Sequence, residues 1–272
     1  MNTQKTVRAL VESAMMVSLA TVLSIFKLIE MPYGGSVTIA SMLPMIILAY
    51  RNGLGWGLGS GLVYAAIQQL LGLNNLSYVT GWQSVLAVIF LDYVLAFAVV
   101  GIGGVFRKVA KSQRSALLFG AVLVSALRYL CHVISGATVW AGLSIPTEAA
   151  LIYSIGYNAT YMLPEAIILT AVAYYLGGVI DFSRPTPTRV AAGQTAGGDS
   201  SLYLYSGAAY LLGGIVDVWL IAPHLQDAET GKFIFSGLAN ANWLAVAIVT
   251  LLAAGIGTAI IFIAKKRKKN NC

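Results

Sequence analysis

The chain alternates long apolar runs with short polar or glycine-rich breaks, and the runs have the length of helices rather than strands. The first covers about residues 9–29 and ends in MPYGGS, where Gly34 and Gly35 mark a loop. The second, residues 39–50, is short. At 1.5 Å per residue it spans about 18 Å against roughly 30 Å of hydrocarbon. It must draw on the preceding loop, tilt in a thinned region, or lie buried in protein. The third, residues 54–73, follows Gly53 and sets Gly57 and Gly61 on the same stripe, with Gly55 and Gly59 on another. That pattern predicts a close-packing face. The same segment carries Tyr64, Gln68 and Gln69. The fourth, residues 82–106, holds Asp92 near mid-depth and leads into the basic loop 107–114. A fifth and a sixth segment follow, and Pro164 is expected to bend the sixth. Residues 182–200 are rich in Pro, Gly, Ser and Thr and read as a linker. Two further spans, about 202–222 and 243–264, bring the total to eight if the short second one crosses. The expected division is a membrane core at 1–181, a linker at 182–200, a hairpin at 201–264 and a basic tail at 265–272.

The fifth and sixth segments carry polar groups that lipid does not tolerate without a reason. Arg128, His132 and Ser135 fall at i, i+4, i+7 and share one helix face. Tyr153, Tyr157 and Tyr161 step by four along the next segment, and Ser154, Asn158, Tyr161 and Glu165 form a neighbouring stripe. Trp140 lies in the loop between. Ionisable groups at membrane depth face a protein interior or a cavity and mark functional sites by default. These two helices therefore read as one wall of a small-molecule pocket. Arg128 is expected to pair with Asp92 or Glu165. Counting helical rise favours Asp92, since Arg128 lies about 20 Å from the inner side and Asp92 about 15 Å from the outer.

Composition turns this pattern into a class. The 272 residues are 58% hydrophobic and only 10% charged, against about 25% charged in soluble domains. The chain is an all-α integral membrane protein, and its runs are too long for the roughly 10-residue strands of a membrane barrel. A net charge of +7 does not imply a nucleic-acid partner, because the charges sit between apolar spans. With the N-terminus inside, 14 of the 17 Lys and Arg fall on the cytoplasmic side, which places both termini in the cytoplasm. The basic, then apolar, start resembles a signal peptide. It lacks a small-residue cleavage site and Glu12 interrupts it, so it is expected to stay as the first membrane helix. Cys131 and Cys272 provide no disulfide framework.

Catalytic signatures are missing from the sequence. There is no phosphate-binding G-x-x-x-x-G-K-[ST] loop, no H-E-x-x-H, no G-x-S-x-G and no paired-cysteine metal site. His132 and His224 are too few and too far apart to suggest a metal. The sequon at Asn158 lies inside a span and is discarded. What remains is a pocket with a carboxylate, an imidazole, an amide and many aromatics, which suits a flat cationic or heteroaromatic ligand. Each residue also has a plainer reading. Trp140 and Tyr153 could be interfacial anchors, and Asn158 a helix–helix hydrogen bond.

Several ordered motifs resemble one family. MPYGGS-x-T, DYVLAF at 92–97, RY-xx-H-xx-SG at 128–136, Trp140, and YS-xx-YN-xx-YM-x-PE at 153–165 look like the thiamine-specific substrate-binding subunit of energy-coupling factor transporters. The resemblance covers about residues 8–180. It implies a six-helix membrane bundle with a vitamin pocket near the outer face, closed by the loop after the first helix. It implies ligand-contacting roles for Asp92, Tyr93, His132, Trp140, Tyr153 and Asn158, with Tyr64 and Tyr78 as weaker carry-overs. It also implies docking on a transmembrane coupling protein and two ATPases through small residues of the first helix, here Ala14 and Ser18. No catalysis, cofactor or metal is implied. Two features depart from the family. Aspartate stands at 92 where glutamate is expected, and the hairpin beyond residue 200, with Asp217 at membrane depth, lies outside the six-helix core. Other readings are a related vitamin or thiamine precursor as ligand, an ion-coupled secondary transporter relaying through Asp92, Arg128 and Glu165, and an intramembrane enzyme using Asp92 and His132.

Overall fold

In this computed structural model, residues 3–31, 34–79, 81–140, 150–190 and 236–270 are described, with scattered positions between 205 and 224. Much of the predicted linker and most of the span at 202–222 lie outside the described residues. The chain divides into two compact units, Met1–Thr188 and Arg189–Cys272.

The first unit is a helical bundle. Helix α1 (Thr3–Ile25) runs into a small hairpin of β1 (Lys27–Glu30) and β2 (Ser36–Thr38), paired antiparallel. Helices α2 (Leu43–Asn52) and α3 (Leu54–Leu71) follow. Next come α4 (Trp82–Lys108), α5 (Gln113–Thr138) and α6 (Ala150–Val179). In the second unit, α7 (Trp243–Asn270) is the longest described element. Among the described residues, five helices are long and apolar enough to cross a membrane: α1, α4, α5, α6 and the stretch Trp243–Ile263 of α7.

The short second segment is explained by burial. Every residue of α2 from Leu43 to Tyr50 is buried, and Met45, Ile46, Leu48 and Ala49 are fully so. A helix about 15 Å long does not need to match the bilayer when protein surrounds it. The glycine stripe of α3 divides in two. A Cβ on Gly57 would lie 2.1 Å from the Gly101 carbonyl oxygen, and one on Gly61 would lie 2.8 Å from that of Ala98. There α3 and α4 touch backbone to backbone, as small residues permit. Gly55 and Gly59 meet open space, so the second stripe is not a contact face within the bundle.

Glu12 also finds its reason. Its carboxylate pairs with Arg51 at the end of α2. Arg51 donates further to the carbonyls of Phe182 (2.6 Å), Arg184 (3.0 Å) and Pro185 (3.0 Å). One guanidinium thus ties α1, α2 and the segment after α6 at one end of the bundle. Helix α5 starts at Ser112, whose hydroxyl caps the Ser115 N–H at 3.1 Å. Helix α6 remains helical through Pro164. The pair α5 and α6 packs most extensively of all. At the same end of α5 as Trp140, Ser154 on α6 donates to the Val133 carbonyl at 2.8 Å.

Candidate functional site

A cavity of about 630 Å³ lies inside the first unit, among α3, α4, α5, α6 and the β1–β2 hairpin. Small-molecule sites commonly measure roughly 300–1,000 Å³. Asp92, Tyr93, His132, Trp140, Asn158 and Tyr64 all line it. Tyr153 does not; it packs behind the wall with Val79, Val88, Tyr93 and Trp140. Tyr78 is 48% exposed and also stands off the lining.

Asp92 reaches the cavity from a π-helical turn. Residues Ile89–Leu95 hydrogen-bond in the wider i→i+5 pattern, which recurs at functional sites. Both Asp92 and its neighbour Tyr93 line the cavity, together with Val88 and Phe97. The Asp92 carboxylate is held by three side chains. Oδ1 lies 2.9 Å from His132 Nδ1. Oδ2 accepts from Ser135 Oγ at 2.7 Å and from Trp140 Nε1 at 3.1 Å. The indole of Trp140 therefore turns inward, with the residue only 8% exposed, rather than lying at a lipid interface. With Asp92 ionised, the shared proton sits on His132 Nδ1, and a neutral ring then offers Nε2 as an acceptor. Nε2 is buried and has no protein partner among the described residues.

Asn158 works beside this cluster. Its Nδ2 donates to the His132 carbonyl at 3.2 Å and the Ser154 carbonyl at 2.9 Å, while its Oδ1 accepts from Tyr161 at 2.6 Å. It is both a helix–helix bond and a cavity-lining group. Tyr93 Oη donates to the Gly72 carbonyl at 3.1 Å and accepts from Asn75 Nδ2 at 2.9 Å.

Of the two partners expected for Arg128, the structure selects Glu165, against the depth count that favoured Asp92. Arg128 pairs with Glu165, Nη1 to Oε2 at 3.3 Å, and not with Asp92, whose oxygens are taken by His132, Ser135 and Trp140. Depth alone does not choose a partner: Arg128 faces Glu165 across the α5–α6 contact, while Asp92 meets His132 and Ser135 further along α5. Arg128 also lies 4.5 Å from the Phe97 ring centroid, a cation–π arrangement. Glu165 Oε1 accepts from Thr38 Oγ1 at 2.7 Å.

The β1–β2 hairpin lines one side of this chamber. Tyr157 Oη donates to the Gly34 carbonyl at 3.1 Å. Gly35 has φ +91°, and a Cβ there would sit 2.8 Å from the Tyr161 ring. Only glycine gives both the turn and the close approach. Thr38, and Ser135 as a holder of Asp92, were not singled out as site residues from sequence. The shared face of Arg128, His132 and Ser135 already contained the signal for Ser135. Thr38 closes the MPYGGS-x-T motif, but the resemblance assigned it no role.

Comparison with known proteins gives this geometry a family. The sequence model of the thiamine transporter protein family (Thia_YuaJ) matches residues 10–180. The chain is 38% identical over 183 residues to "Thiamine transporter ThiT" of Bacillus subtilis (strain 168), an alignment covering 63% of this chain and 91% of that protein. A solved structure of ThiT from Listeria monocytogenes superposes with a TM-score of 0.52 at 23% identity, covering 64% of this chain and 94% of that one. These relatives are named for transport, not catalysis. The chain belongs to the thiamine transporter protein family.

Proposed function

We propose that this chain is the thiamine-binding membrane subunit of an energy-coupling factor type uptake system, sitting in the cell membrane with both termini in the cytoplasm. The observation that carries the reading is the charge balance of the cavity. Arg128 and Glu165 neutralise one another, and so do Lys27 and Glu30 at the hairpin. Asp92 is held by a histidine and two neutral donors, so it supplies the negative charge a thiazolium needs. Trp140, His132 and the Tyr157–Tyr161 pair, with ring centroids 6.0 Å apart, offer flat surfaces beside it. Buried His132 Nε2, with no protein partner among the described residues, and the Tyr64 hydroxyl in the cavity wall suit the amino and ring-nitrogen groups of an aminopyrimidine. Tyr93 and Asn158 add polar contacts, Tyr153 backs Trp140, and Tyr78 lies at the margin.

Energy would come from separate subunits, a transmembrane coupling protein and two ATPases. Ala14 and Ser18 support this assignment. Both are exposed on α1, and the Ser18 hydroxyl folds back onto the Ala14 carbonyl at 2.8 Å, leaving a smooth surface on which a partner helix can lie close. Two experiments test the reading. Purified protein should show saturable quenching of tryptophan fluorescence by thiamine, and no response contradicts the ligand. Affinity capture from native membranes should retrieve the ATPases, and their absence contradicts the coupling. Orientation is tested by cysteines introduced into the loop 107–114, which should label only in permeabilised cells.

A further inference from the structure

We propose that Thr38 and Glu165 form a tether that roots the β1–β2 hairpin over the cavity and sets how fast the ligand leaves. The proposal rests on the thiamine-binding reading above. The hairpin lines the chamber through Gly34, Gly35, Ser36 and Thr38, so its position bears on how a ligand enters and leaves. Alone it is weakly held. Strand β1 is exposed along its whole length, and two short strands are marginally stable at best in isolation. Its closure is bonded by Met31 N–H to the Gly35 carbonyl at 2.9 Å and by Tyr157 to Gly34.

The C-terminal strand is different. Val37 and Thr38 are 2% and 4% exposed. Thr38 is the last residue of β2, and its hydroxyl donates to Glu165 Oε1 at 2.7 Å, across 127 residues of sequence. It also lies 2.8 Å from Ser41 Oγ, just before α2. Glu165, 4% exposed, turns its other oxygen to Arg128, which is 6% exposed. Arg128 is itself fixed by the Phe97 ring and by Met42 Sδ at 2.9 Å.

A buried ion pair is weak evidence for stability, because desolvation cancels much of the attraction and apolar replacements often serve better. If the pair existed only to join α5 to α6, Oε2 alone would do that work. The geometry instead presents Oε1 to the hairpin, and with Arg128 on the other oxygen the bond to Thr38 is short, 2.7 Å. Glu165 is thus a positioning residue. It acts on the ligand through the hairpin and shapes release more than recognition.

The test uses the full chain in detergent. Thr38→Val keeps the shape and removes the hydroxyl, Thr38→Ser restores it, and thermal unfolding checks that each variant is folded. Glu165→Gln is avoided as the primary variant because it leaves Arg128 buried and unpaired. Stopped-flow fluorescence reads thiamine association and dissociation, and amide hydrogen exchange reads the hairpin at residues 27–38. Thr38→Val should release thiamine roughly tenfold faster, the worth of one hydrogen bond to a charged group, and exchange faster across the hairpin. Thr38→Ser should return both to within about twofold of wild type. Unchanged exchange in folded Thr38→Val overturns the tether, and so does unchanged release. If the wild type binds no thiamine, the ligand assignment fails by itself, and exchange alone then decides the tether.

Discussion

Two carboxylates face one cavity and are handled in opposite ways. Glu165 is paired with Arg128 and bonded to Thr38. Asp92 accepts from His132, Ser135 and Trp140 and, among the described residues, has no Arg or Lys against it. On the proposed reading, the difference separates structure from recognition. A neutralised pair adds no net field to the chamber. On the proposed reading, the Asp92 carboxylate is fixed by its three donors and offered to a cationic ligand. In a medium of low dielectric the field of an uncompensated charge is large, so a single carboxylate is enough to select for a cation.

The comparison breaks most visibly on the Glu165 side. Arg128→Met leaves a buried carboxylate without its partner and should cost on the order of 3–5 kcal/mol of stability. Thermal unfolding in detergent measures it. Adding Glu165→Gln should recover much of the loss. If the double variant is no better than the single one, Arg128 matters for packing rather than charge.

On the Asp92 side the loss should appear in binding. Asp92→Asn keeps the shape and one acceptor, and should cost about 1.5–3 kcal/mol of thiamine affinity with a smaller effect on folding. Trp140→Ala removes apolar area, a cation–π face and one donor to Asp92, and should cost a similar amount, about 1.5–3 kcal/mol. A Trp140→Ala protein of normal affinity but poor membrane insertion would make Trp140 an interfacial anchor instead.

The hairpin sharpens the contrast with a smaller effect. Gly35→Ala forces a Cβ into a backbone at φ +91° and against Tyr161. It should weaken ligand binding by about 1 kcal/mol or more. Gly55→Ala, which meets open space, is the matched control and should leave binding unchanged. The smallest effect is expected from removing the second unit. A chain ending at residue 190 keeps every residue of the cavity lining, and a titration should return the full-length dissociation constant. Folded but non-binding truncated protein would make the C-terminal unit part of the site.

Much of this arrangement was legible in the sequence because it is local. The i, i+4, i+7 spacing put Arg128, His132 and Ser135 on one face, and all three now act toward the cavity or its carboxylates. Gly57 and Gly61 announced a close contact because a missing side chain can be seen in the letters. What the sequence hid is non-local or irregular. The π turn at Ile89–Leu95 has no composition signal. Thr38 meets Glu165, and Glu12 meets Arg51, across long separations. Glu12 in particular looked like a flaw in an apolar run until its partner was placed. Asp217 in the second unit shows the same pattern: one carboxylate oxygen accepts from Thr250 Oγ1 at 2.7 Å, a partner that its own segment could not reveal.

The central claim is that Asp92 supplies the countercharge for a cationic ligand while Glu165 does not. The most direct measurement is a calorimetric titration of wild type and Asp92→Asn, each with thiamine and with an uncharged analogue that keeps the aminopyrimidine. The expected result is selective. Asp92→Asn should weaken thiamine by roughly 10- to 150-fold and the uncharged analogue far less. Equal losses for both ligands, or unchanged affinity for thiamine, would contradict it.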